Sequence, residues 1–152
     1  MIHAGKLLGF TLCFGSLGAA TLCQTEHTRV GVAHDAVRNA AVASADCLRR
    51  IACDDPDRWR GIKRGAITGE RADAIRECGI TFLKPLEGGE HAEIAIEPDH
   101  VREGDEACVT VRLAFPCTVP FAGSVTCGVD REVKLKSEEC VTVTGCDQTD
   151  SP

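Results

Sequence analysis

Apolar positions change their spacing once along the chain. Leu7 to Cys23 is an uninterrupted run of 17 residues without a charge, preceded by Lys6. From Thr25 to about Ala52, Val30, Ala33, Val37, Ala41, Ser44, Leu48 and Ile51 recur at steps of three and four. That spacing places small residues on one face of a helix, with Arg29, Asp35, Arg38, Arg49 and Arg50 at polar positions. Asp54-Asp55-Pro56 stops it, with Asp55 as cap and Pro56 in the first turn of a new short helix. Thr68 caps a further helix through Ala72, Ile75 and Cys78, closed by Gly79.

After Gly79 the period becomes two. Ile80-Thr-Phe-Leu, Ala92-Glu-Ile-Ala-Ile-Glu, Ala107 to Phe115, Glu132-Val-Lys-Leu-Lys and Cys140-Val-Thr-Val-Thr read as strands. Glu87-Gly-Gly-Glu is a loop, Arg102-Glu-Gly-Asp a turn, and Glu138 and Glu139 fall in another turn. The strands lie too close together for crossover helices, so the sheet is expected to be antiparallel. The expected class is α+β: an apolar segment and long helix, then a small antiparallel sheet braced by disulfides. The expected divisions are 1–24, an export signal or anchor; 25–79, helical; 80–147, the β region; and 148–152, a polar tail.

The amino terminus sets the compartment. A spanning helix needs roughly 20 apolar residues, with a range of about 17–25. Leu7–Cys23 is therefore either a bilayer anchor running into the helix or a secretory signal cleaved at Gly18-Ala19-Ala20. Both export the remainder. A lipoprotein signal is not expected, because Leu12 and Leu22 stand where a small residue should precede the Cys.

Ten cysteines in 152 residues agree with export. Cys13 and Cys23 belong to the apolar run; Cys47, Cys53, Cys78, Cys108, Cys117, Cys127, Cys140 and Cys146 lie in the polar body. They read as disulfide partners in unknown connectivity. Cys140 and Cys146, if on one strand, would stand roughly 20 Å apart at about 3.3 Å per residue and could not pair. Cys47 and Cys53 can pair only if the helix breaks between them. Cys117 and Cys127 bracket a segment that Pro120 and Gly123 allow to reverse, which makes them the favoured pair.

Charge narrows the partners. With 23 acidic and 17 basic residues the net charge is −6, so nucleic acid is not expected as a partner. One Trp and no Tyr argue against a broad aromatic recognition surface. No catalytic constellation emerges, and no cofactor, metal site or enzymatic activity is expected. His27 and His34 are seven apart on a helix, where a metal pair is usually four apart. No C-x-x-C occurs for zinc. Asp54-Asp55-Pro56-Asp57 opens like a calcium loop, but Trp59 occupies the next ligand position.

Two stretches carry a family likeness. One is Arg29-Val-Gly-Val-Ala-His-Asp-Ala-Val-Arg-Asn-Ala-Ala-Val-Ala. The other is Gly104-Asp-Glu-Ala-Cys-Val-Thr-Val-Arg-Leu-Ala-Phe-Pro-Cys-Thr-Val-Pro-Phe-Ala-Gly, followed by Cys127-Gly and Val133-Lys-Leu. Together they resemble the TadE-like proteins, pseudopilin-type components of bacterial tight-adherence pili. Phe10 stands where the prepilin cleavage pattern has Glu, and the usual strand tyrosine is absent. The resemblance implies a non-catalytic assembly component. It would be anchored in the lipid bilayer by Leu7–Cys23 and would pack against other pilus-assembly proteins through its small-residue helix. Its body would lie in the periplasm, or be secreted if the segment is cleaved. The alternative is a secreted, disulfide-stapled binding or inhibitory module.

Overall fold

The computed structural model describes residues 17–54, 56–117 and 131–144. Helix α1 spans Leu17–Ile51 and α2 spans Gly69–Leu83. They precede three strands: β1 (Glu93–Glu97), β2 (Glu106–Pro116) and β3 (Glu132–Thr142). The strands form one antiparallel sheet in the order β1-β2-β3. The chain is therefore α+β. Short 3-10 turns at Pro56–Trp59 and Gly89–His91 link the elements. Pro56 sits at the start of the first, as its fixed φ favours; Asp55, expected as its cap, lies outside the described residues.

Helix α1 has 35 residues and is about 52 Å long at 1.5 Å per residue. It begins inside the apolar run and carries Gly18-Ala19-Ala20 within it, crossing the expected boundary at residue 24 without a break. Leu7 to Ser16 lie outside the described residues. The small-residue stripe is where the spacing places it. Ala33, Val37, Ala41, Ser44 and Leu48 are buried and Val30 and Ile51 half-buried. They face the body of the same molecule, because α1 lies along α2, β2 and β3.

The sheet turns Ala107, Val109, Val111, Leu113 and Phe115 of β2 inward, and Ile94 of β1 joins them. Helices and sheet share one apolar core, in which Leu48, Ile75, Leu83, Val109 and Val111 are fully enclosed. Most inner side chains are small or β-branched, so the layers approach closely.

Expectations fail in two places. Ile80-Thr-Phe-Leu is the last turn of α2, not a strand, and Gly79 does not close the helix. Gly79 instead lies at the α1–α2 crossing. A Cβ there would stand 2.3 Å from Ser44 Oγ and 2.7 Å from the Ala40 carbonyl oxygen. The helix ends at Leu83, just before Lys84 and Pro85, where proline cannot continue it. Thr68 is at the N-cap position, but its side chain makes no capping bond.

The second failure lies in β3. Two short strands with a turn at Glu138 and Glu139 were expected; one 11-residue strand pairs with β2 along its whole length. Glu138 is held in it by Lys136 Nζ at 2.8 Å and Thr110 Oγ1 at 3.4 Å. The turn at Arg102–Asp105 is present. Gly104 takes φ +81°, and the Asp105 carboxylate accepts the Arg102 N–H at 2.7 Å.

Candidate functional site

The disulfides divide by place in the fold. Cys47 of α1 and Cys78 of α2 are joined, with Cα atoms 6.5 Å apart. The bond fixes the helices beside the Gly79 crossing. Cys108 and Cys140 face each other across β2 and β3 and are joined with Cα atoms 4.0 Å apart. Cys53 and Cys117 are also disulfide-bonded. Cys127 and Cys146 lie outside the described residues, and with them the favoured Cys117–Cys127 pair. Cys47 and Cys53 do not pair with each other, nor do Cys140 and Cys146, since Cys47 and Cys140 are engaged elsewhere. Among the described residues no cysteine is free.

A polar joint holds α1 where it enters the body. Arg29 lies over the Phe115 ring at 4.8 Å and donates to the Pro116 carbonyl at 3.2 Å. It pairs with Glu26 at 3.3 Å and with Glu87. Glu26 is buried, so the guanidinium compensates a carboxylate withdrawn from water. The joint ties α1, the end of β2 and the loop before β1 to one group. Glu26 and Arg29 stand at i, i+3 on a helix, a visible signal; nothing in the sequence pointed to Glu87 or Phe115.

A second polar centre orders the connection between the helices. Arg71 is fully buried, and its guanidinium donates to the carbonyls of Lys63 at 2.8 Å, Ala66 at 3.1 Å and Asp54 at 2.9 Å. The Trp59 ring lies 5.7 Å from it. Burial pulls its pKa below the ordinary arginine value and Arg64 adds to this, while Asp54 opposes it. The group remains protonated. Its signal was legible: Arg71, Ile75, Gly79 and Leu83 recur every four residues, so periodicity places Arg71 on the buried face.

The remaining candidates are dispersed. His27, His34, His91 and His100 are all exposed. His34 has Asp35 at 3.9 Å and His91 has Glu90 at 3.7 Å. Asp54 pairs with Arg58 at 3.2 Å, and Asp57 is exposed. Glu106 joins Cys108 and Cys140 within 4.8 Å, but both sulfurs are spent in the disulfide and neither is a thiolate ligand. The solvent face of the sheet carries a shallow groove of about 320 Å³ flanked by His91, Glu93, Arg112, Lys134 and Lys136. Its cations are answered by carboxylates: Arg112 by Glu93 at 3.3 Å, Lys136 by Glu138 at 2.8 Å, and Lys134 by Glu132 at 3.9 Å.

Among the described residues no helix is long and apolar enough to cross a membrane. No family model, curated protein or solved structure matches the chain.

Proposed function

We propose that the protein is an exported structural component of a bacterial surface pilus, TadE-like and without catalysis, held at the inner membrane by its amino-terminal segment with its body in the periplasm. The continuity of α1 carries this reading. The helix runs from within the apolar segment to Ile51 without interruption, and its second half is cemented to a disulfide-braced sheet. A rod fixed to a small rigid head suits a part that must hold an anchor at a set angle to neighbouring subunits.

The head uses the small-residue stripe internally, so contacts with other assembly proteins fall to other surfaces. Among the described residues of α1, Val32 and Val42 are the large apolar side chains left exposed, at 56% and 39%. Oxidised cysteines support passage through an oxidising compartment.

The test is expression of the full chain in an exporting bacterium, fractionation, and intact mass with and without reductant. A full-length chain in the membrane fraction is expected. A chain shortened by about 20 residues in the soluble fraction would overturn the anchored reading and leave a secreted, disulfide-stapled module.

A further inference from the structure

We infer that the outer edge of β3 pairs with β3 of a second copy of this chain, antiparallel and two-fold about Ser137. The inference rests on the sheet edge alone and does not depend on the pilus reading.

Strand β3 is the last strand of the sheet, and among the described residues no strand lies beyond it. Its 11 pairings with β2 run without a bulge, so the outer edge is straight and long. The register also settles which backbone groups face outward. Cys108 and Cys140 are directly opposite with Cα atoms 4.0 Å apart, the narrow spacing of a non-hydrogen-bonded pair. The N–H and C=O of Cys140 therefore point away from β2. By alternation, so do those of Glu132, Lys134, Lys136, Glu138 and Thr142. Odd-numbered residues bond inward, as Val143 does, donating to the Asp105 carbonyl at 2.9 Å and accepting the Gly104 N–H at 3.0 Å.

Four of the five charges of β3 sit on these even-numbered residues, Glu139 being the exception. The midpoint of Glu132–Thr142 is Ser137. Two copies paired over the full strand place Lys136 of each opposite Glu138 of the other, twice by symmetry. These are residues whose backbone groups face the edge, so each pair exchanges its N–H···O bonds as well as opposite charges. Shifting the axis to Leu135 sets Lys134 against Lys136; shifting it to Lys136 or Glu138 sets that residue against itself. Of these four registers, the one with full overlap is also the one that opposes unlike charges without a like pair. On the inner face Val133 meets Val141 of the second copy. Leu135 meets Glu139, the one mismatched pair. A strand edge is a small contact, so the dimer is expected to depend on concentration.

Sedimentation velocity on the oxidised full chain over a wide concentration range tests this, with amide exchange of β3 alongside. The amides of Lys136, Glu138 and Cys140 should gain protection as concentration rises, while Ser137 and Val141 stay protected throughout. Lys136→Glu and Glu138→Lys should each weaken the dimer at least tenfold, and the double swap should restore it. Glu139→Val, which removes the mismatch, should tighten it roughly tenfold. Exchange of the even-numbered amides that ignores concentration, or a double swap that stays dissociated, would overturn the inference.

Discussion

Two glycines on the helices carry opposite consequences. Gly79 is buried where α1 and α2 cross, and any Cβ there meets the Ala40 carbonyl, which is backbone and cannot swing aside. Gly79→Ala should destabilise by about 1–3 kcal/mol, as overpacked cores do. Gly31 also lies within α1, but nothing stands within 4 Å of an added Cβ, and its position is exposed. Gly31→Ala should stabilise by about 0.5–1 kcal/mol through helix propensity alone. Urea midpoints of the two oxidised variants would then move in opposite directions. The contrast also marks where the sequence was legible. A glycine after Cys78 and before an apolar β-branched run is a fair signal for a helix end, because left-handed caps use glycine. What overrode it was a neighbour about 40 residues earlier in the chain. Close approach of two helices is a long-range demand, and it leaves the same letter as a cap.

At the scale of elements, what was legible was what repeats. The α1 stripe, the turn at Gly104 and the alternation of β2 came through, since each is a local pattern of three or more residues. The divided β3 did not. Ser137, Glu138 and Glu139 look like a turn in isolation; opposite Val111, Thr110 and Val109 they are strand, held by a template the sequence does not display. For the six cysteines among the described residues, the disulfides were legible as a set and illegible as pairs. Their energetics separate them again. Cys47–Cys78 and Cys108–Cys140 close segments with sequence separations of 31 and 32, so chain entropy assigns both about 4 kcal/mol. Their surroundings differ. Cys47 is 7% exposed at the helix crossing, whereas Cys140 is exposed and Cys108 half-buried on the sheet face. Thiolate attack requires access to sulfur. Graded reductant followed by alkylation and peptide mass should therefore label Cys108 and Cys140 well before Cys47 and Cys78. Removing the helix bond by paired Ala substitution should also cost more than removing the strand bond, because it opens buried packing as well as the cross-link.

At the scale of the whole molecule, the change of period at residue 79 suggested two regions, 25–79 and 80–147. The structure joins them. Leu48 and Val37 of α1, Ile75 and Leu83 of α2, and Val109, Val111 and Leu113 of β2 belong to one buried cluster. The polar centres bridge the same divide: Arg29 reaches from α1 to Glu87 and the end of β2, and Arg76 of α2 donates to the Ile94 carbonyl of β1 at 3.2 Å. Neither half can bury its apolar face alone. Three strands with one apolar face need a covering layer, and α1 without the sheet would expose Val37, Ala41 and Leu48. With disulfides intact, unfolding should therefore be a single cooperative transition. Far-ultraviolet circular dichroism reports mainly the helices, and amide exchange in β2 reports the sheet. The fluorescence of Trp59, beside Arg71, reports the linking segment. All three should give one midpoint in denaturant. A sheet that persists after the helical signal is lost would restore the two-region division. It would also mean that α1 is a removable arm and not half of the core. Coincident transitions would make the angle of α1 as stable as the molecule itself, which is the property a fixed anchor on a rigid head requires.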